Sequence, residues 1–433
     1  MTISNIARIL SRHSFPLKSI SRLSMVSKSM SAHSDSSEMD QPLHISTVEA
    51  EPLHRYGQGG YYPATLGEYL KSGRYKVLHK LGWGGYSTVW AARDQREGAY
   101  VAVKILVAEA TDEEMREAQI LQELASHHPR PKHVVHLLDN FELKSPNGCH
   151  QCLVFELLGP NVPDTIDAHF PSGRLPGKLA KAIAKQSLIG LDVLHKNGIG
   201  HGDLHTRNLA FTLPYIGNPT EEKFIEMLGK PEIGHVRRHD GNILESGIPK
   251  YVVKPTSHQN LLQNSAPTIK IIDFGQSFSP TAVPQTLHTP LPVRAPEVLF
   301  KDTIDYRVDL WSMGCMLFEL FVGQPPFDTF LLTPPILIGQ MCEMASDDLP
   351  KRWQATFDTM NEGTSDEDTG LDLQKWLEEV YFGGPHNTDL TRDDISRLGL
   401  IIGKLLYFEP SARASAKQIL DDPWFQEGTD CES

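Results

Sequence analysis

One stretch constrains this chain more than any other: Ile199-Gly200-His201-Gly202-Asp203-Leu204-His205-Thr206-Arg207-Asn208-Leu209-Ala210-Phe211. A carboxylate, Asp203, stands five positions before a carboxamide, Asn208, and apolar residues flank both. Side chains so spaced can face one ligand group only if the loop between them is rigid, and the apolar flanks read as its anchors. Taken alone, the same residues also fit an ordinary polar loop. What surrounds the stretch decides between the two.

The chain has 433 residues, enough for two or more core-bearing units or one large two-lobed unit. A net charge of -13 argues against direct nucleic-acid binding and leaves room for a basic polypeptide partner. Five cysteines make no disulfide framework and fit a reducing compartment. Cys149-x-x-Cys152 has no second pair to complete a zinc site. No apolar run approaches ~18 residues, so no membrane span is expected.

Residues 1–34 lack Asp and Glu, carry Arg8, Arg12, Lys18, Arg22 and Lys28, and resemble a mitochondrial presequence. The competing readings are a disordered basic leader and an unused upstream start. Residues 35–53 read as a polar linker. Tyr56–Ala64 is a turn-rich lead-in, and Arg74–Leu81 alternates like a strand. The glycine-rich run Gly82-Trp83-Gly84-Gly85-Tyr86-Ser87-Thr88-Val89 lies between that strand and the strand Tyr100–Lys104. Such a turn can bring backbone N–H groups over phosphates, because glycine removes the obstructing side chain. A lysine ending a buried strand needs a carboxylate or phosphate to meet it. Glu117, one helical turn before Leu121 on the helix expected over 112–125, is the preferred partner of Lys104. Thr111 with Glu114 would cap that helix, and Glu113, Glu114 and Glu123 are the solvated alternatives. Downstream, Thr268–Ile272 runs as a strand into Asp273-Phe274-Gly275, which can set a carboxylate on a phosphate-bound magnesium ion. Between Phe211 and Pro267 the chain is rich in Pro, Gly and charge, and Gly234–Gly241 reads as an exposed basic loop.

Six ordered motifs over residues 54–425 therefore resemble those of the eukaryotic Ser/Thr protein kinases. They are the glycine-rich loop, the Val101-Ala102-Val103-Lys104 strand, the Asp203/Asn208 loop, Asp273-Phe274-Gly275, Ala295-Pro296-Glu297 and Asp309-Leu310-Trp311. More closely, Tyr56-x-x-Gly59-Gly60-Tyr61-Tyr62-Pro63, Leu81-Gly82-Trp83-Gly84-x-x-Ser87-Thr88-Val89-Trp90 and Val154–Gly159 resemble the SR-protein kinases, fungal members in particular. The resemblance implies an α+β, bilobal fold. A β-rich N-lobe would span 54–158, a mostly helical C-lobe 159–425 with an insertion at about 212–267, and a tail 426–433.

It also implies ATP and Mg2+. ATP would lie under Leu81–Val89, with its adenine at the hinge strand near Glu156 and Leu158 and Phe155 behind it. Lys104, set by Glu117, would meet the α/β-phosphates. Asn208 and Asp273 would hold two Mg2+ ions, and Asp203 would deprotonate the substrate hydroxyl. Arg413 would pair with Glu297 as a structural brace. The implied partner is a protein substrate, Arg/Ser-rich in this family, met by a monomer in the cytoplasm or nucleus.

Four departures qualify the resemblance. Ser87 replaces the third glycine of the loop. Gly202 stands where many kinases have the arginine that grips a phosphorylated activation loop, so Ser277, Thr286 and Thr289 read as ordinary hydroxyls. His205 replaces a lysine that neutralises the γ-phosphate, at an expected cost of about 1–4 kcal/mol of transition-state stabilisation. Residues 325–334 are mostly apolar where the family carries acids for docking. A scaffold that has lost catalysis is the rival reading, and a small-molecule or lipid kinase a further one. The intact set Lys104, Asp203, Asn208 and Asp273 favours catalysis on protein.

Overall fold

The structure is a computed structural model describing residues 42–109, 112–126, 129–213, 219–256, 268–327, 333–360, 372–383 and 388–426. The leader, Thr111 of the expected cap, residues 328–332 of the docking stretch and the tail beyond Gln426 lie outside it.

A hairpin organises the N-terminal half. Strands β3 (Tyr75–Gly84) and β4 (Ser87–Asp94) pair antiparallel up to Gly84↔Ser87, leaving Gly85 and Tyr86 as the turn. Such short turns match the twist of paired strands. With β2 (Tyr69–Leu70), β5 (Tyr100–Leu106), β6 (Leu137–Ser145) and β7 (Gly148–Glu156) they form a six-stranded sheet in the order β2-β3-β4-β5-β7-β6. Lys104 lies on its inner strand β5, opposite Val89 and Leu153. Helix α1 (Asp112–Ser126) buries Ala118, Ile120, Leu121 and Leu124 against the core.

The second half is mostly helical. Helix α6 (Val308–Val322) is apolar all round and buried at every position but Glu319, the mark of a core helix. Against it packs α3 (Gly177–Lys196), which delivers the chain to Ile199. Strand β9 (Leu209–Thr212) follows the Asp203/Asn208 loop and pairs antiparallel with β13 (Ile269–Ile271), Leu209 opposite Ile271. That register sets the end of one motif beside the start of the next: the Ile272 N–H donates to the Asn208 carbonyl at 2.9 Å.

Two regions differ from expectation. Residues 42–53, expected as a linker, are packed: β1 (His44–Ile45) pairs with β11 (Arg237–Arg238), and Glu51 is buried against Lys80. The stretch 234–241, expected as an exposed basic loop, keeps His235, Arg237, His239, Asp240 and Gly241 exposed but is held in place. There β10 (Ile233–His235) pairs with β12 (Tyr251–Val253), and Val236 is buried. The preceding helix α4 (Glu221–Leu228) buries Phe224 and Leu228 on Leu78 and Ala91, with the Phe224 ring stacked on Tyr100. The apolar residues are few but face one side, and the sheet's outer face needs covering. Among the described residues no helix is long and apolar enough to cross a membrane.

Candidate active site

The cleft between the two halves is a cavity of about 320 Å³ lined by Gly84, Gly85, Tyr86, Ser87, Lys104, Glu117, Asp203, Asp273 and Gln276. Lys104 is its electrostatic centre. Its Nζ donates to both Glu117 oxygens, at 2.8 and 2.9 Å, and to Asp273 Oδ1 at 2.9 Å. Burial alone would lower the ammonium's pKa, but the Asp273 and Glu117 carboxylates outweigh it and raise it. Lys104 in turn holds Asp273 down at about 2. Glu117, fully buried, is raised by burial against the pull of Lys104. Asp273 has φ 62, a left-handed conformation costly for a residue with a side chain and concentrated at functional sites.

Asp203 is positioned from below. The Asn208 carboxamide donates to its carbonyl at 2.8 Å and reaches its Oδ2 at 3.3 Å. The backbone N–H of Asp203 donates to His201 Nδ1. The other carboxylate oxygen, Oδ1, is buried without a hydrogen-bond partner. An unsatisfied buried acceptor is expensive and needs a reason.

His205 accepts the Arg207 N–H on Nδ1 at 3.2 Å. Its Nε2 lies 3.3 Å from the Asn208 carboxamide nitrogen and 3.6 Å from Asp203 Oδ1.

The loop is fixed by a residue whose role the sequence reading did not assign. Asp309, buried at the start of α6, accepts the backbone N–H groups of His201 (2.7 Å) and Gly202 (2.8 Å) and meets His195 Nε2 at 3.1 Å. The signal was available: an acid opening an otherwise apolar helix must find donors. Gly202 itself has φ 76, and a Cβ there would fall 2.4 Å from the Gln276 carbonyl oxygen. Where an arginine would grip a phosphate, the segment 276–289 packs directly on the loop. Thr289 donates to the Gly202 carbonyl at 2.6 Å, and Gly200 exchanges two backbone bonds with Phe278. Ser277 and Thr289 are buried, whereas Thr286 is exposed.

Of the residues expected around ATP, Gly84, Gly85, Tyr86, Ser87 and Lys104 line this cavity. Leu81, Gly82, Trp83, Thr88, Val89, Glu156 and Leu158 do not. Leu81, Val89 and Leu158 are partly buried against the core, and Gly82 pairs with Val89. Trp83 is exposed, and the Thr88 hydroxyl accepts from Trp90 inside the sheet. The Glu156 carboxylate accepts from Lys270 at 2.6 Å and from the His136 N–H at 2.8 Å, and its own N–H donates to the His136 carbonyl at 3.3 Å. Arg413 pairs bidentately with Glu297 at 2.6 and 2.7 Å.

The oxygens of Asp273, half exposed, and Asn208 are hard donors suited to magnesium. Among the described residues no cluster of three or more His, Cys, Asp or Glu could cage a metal, and Cys149 and Cys152 are free thiols. Two protein ligands are what Mg2+ needs when phosphates and water complete its shell.

The protein kinase domain model matches residues 75–213 and 253–425. The Physarum polycephalum serine/threonine-protein kinase SRPK is 30% identical over 398 residues, covering 87% of this chain and 91% of that protein. The Schizosaccharomyces pombe protein kinase dsk1 is 38% identical over 194 residues, covering 43% of this chain and 35% of that protein. Among solved structures, the PF14_0431 kinase domain superposes with a TM-score of 0.56 at 21% identity, covering 84% of this chain and 98% of that one.

Proposed function

Because the chain belongs to the protein kinase family, and within it to the SR-protein-kinase type, and is therefore a protein Ser/Thr kinase, we propose how its own residues carry the transfer. Its lobes are 54–158 and 159–425, and ATP enters the cleft between them. The Gly84–Ser87 turn covers the phosphates with backbone N–H groups. Lys104, held by Glu117, neutralises α/β-phosphate charge. Asn208 and Asp273 hold the magnesium, which when bound shields the phosphates' charge. Asp203 orients the substrate hydroxyl and takes its proton on the free Oδ1. His205, beside Asp203, adds its imidazole to the γ-phosphate side of the cleft. The work is positioning and electrostatics.

One observation carries this reading: Lys104, two opposing carboxylates and an unsatisfied Asp203 oxygen meet in a single cavity. The substrate class is a serine in a basic, Arg/Ser-rich protein, met by a monomer in cytoplasm or nucleus. The support is the family likeness and the chain's charge of -13. The test is transfer from γ-labelled ATP to Arg/Ser-rich, neutral and acidic serine peptides, with and without a magnesium chelator. Preference for the basic peptide and loss on chelation are expected. Equal use of all three peptides would remove the substrate assignment.

A further inference from the structure

The glycine-rich turn over the cleft is gripped from outside the sheet. Tyr61, in the segment that precedes the first strand of the sheet, is 1% exposed, and its hydroxyl donates to the Gly84 carbonyl at 2.7 Å. Gly85, the next residue, also lines the cavity. Burial raises the Tyr61 pKa, so the hydroxyl stays a donor throughout the physiological range.

The segment bearing Tyr61 is itself anchored. The Tyr61 N–H donates to the Arg55 carbonyl at 3.0 Å, and Gly60 passes so close to that carbonyl that a Cβ there would fall 1.8 Å away. The Ala108 and Glu109 N–H groups donate to Gly60 and Gly59. The Asn147 carboxamide donates to the Tyr61 carbonyl at 2.8 Å and to the Gly247 carbonyl at 3.0 Å, tying this segment to the insertion. The Tyr56 ring meets Tyr61 edge-on while its hydroxyl bonds Glu51, which pairs with Lys80 immediately before Leu81. The hairpin is thus held midway along β3 through Lys80 and near its tip through Tyr61.

We propose that Tyr61 is a positioning residue for the nucleotide: its hydroxyl, anchored by residues 51–61 and the insertion, sets the height of the Gly84–Gly85 turn over the cleft. This rests on the ATP site proposed above. Without the latch the turn keeps only the Val107 N–H bond to the Tyr86 carbonyl, at 2.9 Å, beyond the strand pairing; it samples more open positions, and its N–H groups must be ordered when nucleotide binds. The cost falls on nucleotide affinity. The Asp203, Asn208 and His205 loop, on the other side of the cleft, is untouched.

The test is Tyr61→Phe in the full chain, which keeps the buried ring and removes only the donor. We expect KM for ATP to rise roughly 3- to 10-fold, the effect of one hydrogen bond, with kcat and KM for peptide within about twofold. Amide hydrogen exchange over residues 82–89 in the nucleotide-free protein should quicken by a similar factor. A merely structural hydroxyl would lower the melting temperature and leave both the ATP-selective split and the local exchange unchanged, and that result overturns the proposal. Should the wild type transfer no phosphate, the functional reading fails, while the exchange comparison still decides the latch.

Discussion

Two lysines in the same sheet, on strands β3 and β5, have opposite surroundings. Lys104 faces the cleft between two carboxylates, and their charge overrides burial and keeps it protonated. Lys80 faces the packed N-terminal segment, where Glu51 is its partner and the Trp90 ring lies 5.1 Å away; there burial prevails and draws its pKa down to about 7. The same residue type lines the cleft in one place and ties a segment to the sheet in the other. What separates them is the number of opposing charges and access to a cavity.

Replacing each lysine in turn should break the comparison most visibly. Lys80→Met leaves Glu51 buried without its cation and should cost about 3–5 kcal/mol in denaturant unfolding, with kcat of the folded fraction largely kept. Adding Glu51→Gln, which can still accept from Tyr56, should restore most of it. Lys104→Met likewise leaves the buried Glu117 carboxylate without its cation and should cost about 3–5 kcal/mol, but it should also lower kcat/KM of the folded protein roughly 100- to 1000-fold. If Lys80→Met lowers kcat/KM as far as Lys104→Met does, the two lysines are not separable in role.

Gly202→Arg asks whether the cleft loop could host the arginine other kinases use. With φ 76 and the Gln276 carbonyl 2.4 Å from a Cβ, it should destabilise by about 2–4 kcal/mol and slow transfer. A stable variant that becomes dependent on activation-segment phosphorylation would refute that view of the loop.

His205→Lys adds a permanent charge beside Asp203. About tenfold higher kcat is expected, because an ammonium brings a full charge where an imidazole can offer only a hydrogen bond. An unchanged rate would remove His205 from the mechanism.

The smallest effect is acidic. Asp273 is held at about 2 against an ordinary 3.8, so its ion pair contributes fully above pH 3.8 and is lost as pH falls through 2. With the side chain 49% exposed, solvent reduces this to about 1 kcal/mol. Melting between pH 5 and 2 should be less steep in Asp273→Asn.

The cleft was legible because its residues sit at fixed spacings on strands and loops with strong local signals. Lys104 ends an alternating strand, Asp273 follows an apolar one, and Glu117 lies one turn before Leu121. The outer face of the sheet was not legible. Apart from α4 its elements are two or three residues long, and β1 pairs with β11 across most of the N-terminal half. No periodicity marks such strands, and Glu51 reads like any solvated acid until Lys80 is seen beneath it. Asp309 lay between these cases, visible as an acid on a buried helix but with donors that only the fold brings near.

The central claim is that Asp203 receives the substrate's proton while the rest of the cleft holds the nucleotide. Asp203→Asn in the full chain, measured both for ATP affinity and for γ-phosphoryl transfer to an Arg/Ser-rich peptide, tests it most directly. Affinity within about threefold of wild type and transfer reduced at least ~1000-fold are predicted. Transfer within tenfold of wild type would contradict the account.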